Sequence, residues 1–273
     1  MKSANSSSRG HKRFGYRQVP VWYESSRRVA EQFDTVGKHL KLLKVIPNPY
    51  PLYDLIMGLY ERWSNRAALH GPVLQRVSCI LDVGSGTGHL LGQIVSRTRK
   101  SQSIVAVDLS PQMLKNSRTY LDKRDSSSSR VCFVRADCMK LPHPAGTFDL
   151  YVSSYLFDLL TEAELEQAIS EMQRVLAPDG HAILITMTTE LKDAFWLLKP
   201  IYRFMNELYC LGYENGRWNR IWEFLFAGYA PHCRPIALGR YLRRFDNLRI
   251  EYTKLSQVTF FPVRIYYVRK THS

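Results

Sequence analysis

A group of glycines directly follows a short apolar segment, in an arrangement that suits a nucleotide-like ligand. Cys79 to Val83 is a strand-sized apolar segment, and Gly84-Ser85-Gly86-Thr87-Gly88 comes immediately after it. Glycine lets the backbone approach a ligand closely, because no Cβ stands in the way. A helix that follows such a loop presents backbone N–H groups to a polar or anionic part of the ligand. The segment therefore predicts a ligand-binding loop between a strand and a helix.

An acidic residue closes the next predicted strand. Asp108 follows the apolar segment Ile104 to Val107 and lies 24 residues after Gly84. A carboxylate at the end of a second strand can accept hydrogen bonds from both hydroxyls of a ribose. The third glycine comes after one intervening residue, whereas the dinucleotide pattern G-x-G-x-x-G has two. This spacing argues against a nicotinamide cofactor, although an NAD-dependent oxidoreductase remains an alternative.

Four motifs together resemble those of the class I S-adenosylmethionine-dependent methyltransferases. In chain order they are Leu81–Gly88, Val105–Met113, Arg135–Asp137 with Thr147–Leu150, and Arg174–Gly180. The resemblance covers residues 77–187 and, more loosely, the last two predicted strands. Outside these motifs, Tyr53-Asp54 and Arg234-Pro235-Ile236 with Leu242 look loosely like small-molecule methylases of quinone and lipid pathways. The resemblance implies S-adenosyl-L-methionine as the cofactor and methyl transfer as the reaction.

The resemblance also implies roles for residues of the glycine loop and the second strand. Gly84, Gly86 and Gly88 would line the methionine part of the cofactor. Asp82 would orient the loop and contact the amino group of the cofactor through water, or it could merely cap the turn. Asp108 would hold the ribose hydroxyls.

The remaining cofactor contacts implied by the resemblance lie beyond the second strand. Leu109 would pack under the adenine, and Asp137 would accept a hydrogen bond from the adenine amino group. Asp137 could instead cap its loop in an Asx turn. Cys138 would donate its backbone N–H to the adenine ring, or it is simply a small buried residue. Ser153 and Ser154 would face the sulfonium.

No residue is assigned as catalytic. The methyl group of a sulfonium is already activated, so a general base is needed only when the nucleophile carries a proton of high pKa. Tyr155 and Asp158 follow the fourth strand and are the best-placed candidates, ahead of His89 and His143. The sequence Ser153-Ser154-Tyr155-Leu156 differs from Asn/Asp-Pro-Pro-Tyr, which argues against methylases of exocyclic amines in nucleic acids. The five cysteines have no C-x-x-C spacing, so no metal site is expected.

Strands and helices alternate from Val77 onward, which predicts parallel strands joined by helical crossovers. We expect a Rossmann-like, seven-stranded, mostly parallel α/β sheet with an antiparallel C-terminal strand. Ser110-Pro111 predicts an N-cap followed by a proline at the first position of a helix, and Thr161 and Glu164 form a capping box for a helix that runs to Leu176. The other predicted segments are strands at Val131–Val134, Phe148–Val152, Ala182–Thr186, Leu248–Leu255 and Val263–Val268, a turn at Pro178–Gly180, and a helix at Pro235–Phe245.

The flanking segments divide the chain into three parts. The composition of residues 1–20 predicts a disordered basic tail, and the pattern of residues 21–75 predicts a helical N-terminal extension. Residues 76–273 form the expected methyltransferase domain, with a helical, aromatic-rich cap inserted at about 191–230. An apolar, aromatic cap suits a ring or a prenyl or acyl chain, which makes a small-molecule or lipid-like methyl acceptor the expected substrate. The aromatic residues could instead simply form a second small core.

Charge is concentrated at the two ends of the 273-residue chain, whose net charge is +14. Residues 1–50 and 231–273 each carry +7, and the segment between them is neutral. Basic ends could contact anionic membrane or RNA, or could be merely solvated, and a non-catalytic protein that binds RNA or a protein partner remains an alternative. No segment has 18 consecutive apolar residues, and an intracellular, cytoplasmic protein is expected, with mitochondrial import left open.

Overall fold

The computed structural model describes residues 61–69, 73–124, 127–204, 235–256 and 262–271, and in them a seven-stranded sheet has the strand order β3-β2-β1-β4-β5-β7-β6. Strands β1 to β5 pair in parallel, while β7 pairs antiparallel with both β5 and β6. The predicted mostly parallel sheet and the antiparallel C-terminal pair are confirmed. The strands are β1 Cys79–Val83, β2 Ser103–Asp108, β3 Val131–Arg135, β4 Phe148–Ser154, β5 Leu176–Met187, β6 Leu248–Ser256 and β7 Val263–Lys270.

Helices cover both faces of this sheet. The N-terminal signals read from the sequence are confirmed: the Ser110 hydroxyl accepts the Met113 N–H, and Thr161 and Glu164 form a reciprocal capping box. The helices are α1 (residues 61–68), α2 Val73–Arg76, α3 His89–Arg97, α4 Pro111–Asp122, α5 Glu162–Val175, α6 (residues 199–204) and α7 Leu238–Leu242.

Two apolar layers form the core, one on each face of the sheet. On one face, Tyr151 and Leu176 pack with the buried side of α5, which includes Ile169. On the other face, Ile80 and Val152 pack with α3 and with the end of α1. Because the parallel strands β1, β2 and β4 run in the same direction, their carboxyl ends meet at one edge of the sheet.

Three predicted element boundaries are wrong. β5 already begins at Leu176, so Pro178–Gly180 lies within the strand as an irregularity in its pairing with β4, with Asp179 at φ 59°. The C-terminal helix spans only Leu238–Leu242, because Ile236 instead forms a bridge with Thr188. The start of the predicted cap, residues 191–198, forms turns, and helix begins at residue 199.

The tail at 1–20, the extension up to residue 60 and the cap from residue 205 to 230 lie outside the described residues. Of the predicted extension, residues 61–68 are helical, and they contact the carboxyl end of β4.

Candidate functional site

The glycine loop after β1 takes a backbone conformation that other residues rarely adopt. Gly84, Gly86 and Gly88 have φ angles of 72°, 52° and 91°. A Cβ on Gly88 would lie 2.7 Å from the Ser117 hydroxyl, so packing of the loop against α4 requires glycine there. A Cβ on Gly86 would meet nothing nearer than the Gly84 carbonyl at 3.9 Å. The backbone at Gly86 is therefore open to a ligand.

Hydrogen bonds within the protein hold the shape of this loop. The N–H groups of Gly84 and Ser85 both donate to the Val107 carbonyl, at 2.8 and 3.1 Å. The Gly88 N–H donates to the Ser85 carbonyl at 3.0 Å. The Gly86 N–H donates to Asp108 Oδ2 at 2.9 Å. These four N–H groups are therefore used within the protein, where they hold the loop in a shape that a ligand can approach closely.

Asp108 joins the ends of β1 and β2. Its Oδ2 accepts from Gly86, and its Oδ1 accepts the Ser110 N–H at 2.9 Å. The side chain is half-buried at the carboxyl edge of the sheet. A carboxylate at this edge of the sheet, with about four acceptor positions, suits the two hydroxyls of a ribose.

Asp82 is a buried carboxyl without a hydrogen-bond partner among the described residues. It is 1% exposed, and neither oxygen has a donor within reach. Burial, and next the charge of Asp108, raise the pKa of Asp82 to about 8. Buried polar groups are normally paired, and an unpaired one indicates a missing ligand or a functional role. A cationic group bound at the glycine loop would fit this site.

The loop after β3 carries the predicted adenine contacts. Asp137 Oδ1 accepts the Met139 N–H at 2.9 Å, so the Asx turn considered from the sequence is present. Cys138 is buried, and Leu109 is half-buried beside Asp108. The structure thus brings Leu109, Asp108 and the glycine loop to one edge of the sheet, and the loop after β3 begins at the same edge.

The end of β4 makes two different kinds of contact. The Ser153 hydroxyl donates to the Val83 carbonyl at 2.9 Å inside the sheet. The Ser154 hydroxyl donates to Asn65 Oδ1 of α1 at 2.9 Å. Of the two predicted residues, Ser154 is therefore the one whose side chain extends from the sheet toward a covering helix.

Protein groups engage the two best candidate bases. The Tyr155 hydroxyl lies 2.9 Å from the Ser64 hydroxyl, in a residue whose φ is 55°. Asp158 is fully buried, and its Oδ2 accepts the Met187 N–H at 2.8 Å. Asp158 therefore joins the segment after β4 to the end of β5.

The two histidines have packing contacts. His89 lies edge-on to Tyr120, with ring centroids 4.7 Å apart. His143 packs in the same way on Phe148, at the amino end of β4 and therefore far from the glycine loop. Burial, and next the charge of Arg174, lower the pKa of His143.

Three side chains that support the site were missed by the sequence interpretation. Ser64 and Asn65 belong to the predicted N-terminal extension, and nothing in their spacing showed which strand they would reach. Glu171 accepts the Leu141 N–H at 2.9 Å and pairs with Arg174, whose Nη1 donates to the His143 carbonyl at 2.8 Å. The three-residue spacing of Glu171 and Arg174 on a helix was the available signal.

Comparison with known proteins identifies relatives of this chain. Residues 80–180 match the model of a family described as a methyltransferase domain. The ubiquinone/menaquinone biosynthesis C-methyltransferase UbiE of Azotobacter vinelandii is 32% identical over 189 residues, covering 69% of this chain and 68% of that protein. UbiE of Hahella chejuensis is 31% identical over 173 residues, covering 63% of this chain and 64% of that protein. The matches thus span about two thirds of the relatives' length.

Solved structures share the fold at low sequence identity. The N-methyltransferase NodS from Bradyrhizobium japonicum, in complex with S-adenosyl-L-homocysteine, has a TM-score of 0.53 and 15% identity, covering 78% of this chain and 88% of that chain. The mitomycin 7-O-methyltransferase MmcR has a TM-score of 0.60 and 14% identity, covering 88% of this chain and 60% of that chain.

Dinucleotide-binding sheets have the order 3-2-1-4-5-6, without an inserted antiparallel strand, so the alternative of a nicotinamide cofactor is not favoured.

Proposed function

Because this chain belongs to the class I S-adenosylmethionine-dependent methyltransferases, we propose that it methylates a small, apolar acceptor with a quinol-type ring. S-Adenosylmethionine is the cofactor, and when bound it supplies a methyl group already activated by the positive sulfur. The observation that carries the assignment of the site is the unpartnered Asp82 carboxyl beside the loop that Asp108 holds. The UbiE relatives, named as C-methyltransferases of ubiquinone and menaquinone biosynthesis, support the quinol class.

The described residues of the site would act by binding and orienting the cofactor. Asp108 would accept from the ribose hydroxyls, and Asp82 would face the cationic amino group. Asp137 and the Cys138 backbone would contact the adenine, with Leu109 packed beneath it. Gly84, Gly86 and Gly88 would let the methionine part lie against the backbone, with Ser153 and Ser154 near the sulfonium. Methyl transfer depends mainly on alignment of the nucleophile, the methyl carbon and the sulfur, which such positioning provides.

Helix α1 contributes to the exclusion of water. Its Ser64 and Asn65 side chains bond to Tyr155 and Ser154 over the carboxyl end of β4. We propose that the extension at 21–75 and the cap at 191–230 together form the acceptor side of the site. Tyr155 and Asp158, being hydrogen-bonded within the protein, would shape this side and not act as a general base.

Several basic side chains in the C-terminal part of the chain pair with acidic or carbonyl groups of the protein itself. This favours a small acceptor over a macromolecular partner that would bind through charge. Arg264 is 3% exposed and pairs with Asp193. Further contacts join Arg244 to Glu166, Arg269 to Asp179, and Lys270 to the Leu176 carbonyl. Contact of the basic ends with anionic membrane stays an untested proposal, and contact with RNA stays the less favoured alternative.

We propose an intracellular location, because Cys79, Cys132 and Cys138 are free thiols and such thiols persist in reducing compartments. No helix within the described ranges is both long and apolar enough to cross a membrane. Mitochondrial import is not supported by these observations and stays only an untested alternative.

An acceptor screen tests the proposed function. The full chain is incubated with S-adenosylmethionine labelled in its methyl group and, separately, with 1,4-dihydroxynaphthalene, a prenylated hydroquinone, simple phenols, phospholipid vesicles and RNA. Label in the hydroquinones, lost in the Asp108→Ala variant, is the expected result. Label in RNA or phospholipid, and none in the hydroquinones, would overturn the quinol assignment.

A further inference from the structure

The side-chain amide of Asn65 is a buried group that is only half satisfied. Asn65 is 0% exposed, and its Oδ1 accepts the Ser154 hydroxyl at 2.9 Å. That bond orients the amide, and its Nδ2 is then a buried donor with no acceptor among the described residues. A buried donor left without an acceptor is destabilising and rare in native proteins. The amide is therefore suited to an acceptor that arrives with a ligand.

The sheet register places this donor next to the unpartnered carboxyl. Asp82 of β1 is opposite Val152 of β4, and Ser154 lies two residues beyond Val152 on the same face. Asn65, which contacts Ser154, therefore lies on the face of Asp82, one step toward the carboxyl edge. Two bonds hold α1 there: Ser64 with Tyr155, and the Tyr267 hydroxyl, which donates to the Ala68 carbonyl at 2.8 Å.

The two unsatisfied groups have opposite polarity. Asp82 offers acceptors or a negative charge, and Asn65 offers a donor. The amino-acid part of the cofactor carries the complementary pair, an ammonium and a carboxylate. The N–H groups of Gly84, Ser85, Gly86 and Gly88 already donate within the protein, so these four donors do not serve the carboxylate.

We propose that Asn65 Nδ2 binds the carboxylate of the cofactor's amino-acid part, while Asp82 faces its ammonium. The inference rests on the proposed placement of the cofactor at the glycine loop and is independent of the methyl acceptor. It assigns to α1, which lies outside the matched segment 80–180, a direct part in cofactor recognition.

Two ligands that differ in this part test the proposal. S-Adenosylhomocysteine has the amino acid, whereas 5′-methylthioadenosine lacks it and keeps the adenosine. Isothermal titration would measure both affinities for the wild type, Asn65→Ala and Asn65→Asp. Ser64→Ala is the matched control, because it removes a buried hydrogen bond of the same helix and leaves the amide in place.

Asn65→Ala should weaken the binding of S-adenosylhomocysteine about 10-fold or more, which is the usual effect of losing a hydrogen bond to a charged group. Asn65→Asp should weaken it further, because an acidic side chain repels the carboxylate. Methylthioadenosine should bind all variants alike. Ser64→Ala should lower the melting temperature and keep the wild-type ratio of the two affinities.

Equal losses for both ligands, or no loss for either, would overturn the role of Asn65 and leave the proposed function standing. A wild type that binds neither ligand would overturn the proposed cofactor site itself.

Discussion

Asp108 Oδ2 accepts the backbone N–H of Gly86 at 2.9 Å, so the acid at the end of β2 also holds the glycine loop at the end of β1. Its second oxygen accepts the Ser110 N–H, at the residue that caps α4. One side chain thus joins the loop, the strand and the following helix. Any change at this position alters the shape of the site as well as its contacts with the cofactor.

We predict that Asp108→Ala weakens the binding of S-adenosylhomocysteine by about 1.5–3 kcal/mol, because hydrogen bonds to the ribose are lost. From the sequence alone, folding should be almost unaffected. The bonds to Gly86 and Ser110 change that expectation, and the melting temperature should fall too. Titration calorimetry and thermal unfolding measure the two effects. An unchanged affinity with a lowered melting temperature would make Asp108 purely structural.

A pair of glycine variants separates backbone strain from close packing. Gly88 and Gly146 both have positive φ, of 91° and 69°. A Cβ on Gly88 would lie 2.9 Å from the Ser117 Cα, whereas one on Gly146 would meet only the Pro178 Cδ at 4.0 Å. Gly88→Ala should therefore cost about 2–5 kcal/mol of unfolding free energy and Gly146→Ala about 1–2. Equal losses in urea unfolding would mean that the contact with α4 is not tight.

The buried carboxyl of Asp82 should make stability depend on pH. Its folded pKa, raised to about 8 by burial and by Asp108, exceeds the unfolded value near 4. Its stabilising contribution is thus complete below about pH 4 and is lost as pH rises toward 8. Without cofactor, Asp82→Asn should become increasingly more stable than the wild type from pH 5 to 8, with no further gain above. Thermal unfolding across this range measures the difference, and the exposed Asp122→Asn controls for lost charge.

Two arginines of β7 form ion pairs in different environments. The Arg264 side chain is 4% exposed and donates to Asp193 and Thr253 at 2.8 Å, whereas Arg269 pairs with Asp179 at 44% exposure. Arg264→Met should lower the free energy of unfolding by about 1.5–3 kcal/mol, because it removes the charged hydrogen bonds of a buried guanidinium to Asp193, to Thr253 and to the Glu190 carbonyl. Arg269→Met should cost less than about 1 kcal/mol. Comparable losses in denaturant unfolding would contradict the buried role of Arg264.

Cofactor selectivity is tested directly by calorimetry. We predict binding of S-adenosylmethionine and S-adenosylhomocysteine, and none of NAD, because the antiparallel β7 and the glycine spacing differ from those of a dinucleotide site. Binding of NAD, together with no binding of S-adenosylmethionine, would contradict the assignment of methyl transfer to this fold.

Local patterns were sufficient for most of the fold. Hydrophobic segments, the Ser110 cap and the Thr161 capping box depend on neighbouring residues, so the corresponding elements could be predicted. The errors lie where distant contacts override local preference. Pro178–Gly180 signals a turn, yet Leu176 and His181 on either side of it both pair with β4, so the strand continues through it. Likewise Ile236 joins Thr188 and does not extend the helix.

The sequence by itself determined the glycine loop, the acids Asp82, Asp108 and Asp137, and the succession along the chain of the strands that carry them, because each is a short pattern within one element. Only the tertiary structure decided that Asp82 is left without a partner and that Asn65 reaches Ser154, 89 residues further along the chain. Such a pairing depends on which helix covers the carboxyl edge of the sheet. That choice is made by packing of whole faces, and no local spacing encodes it.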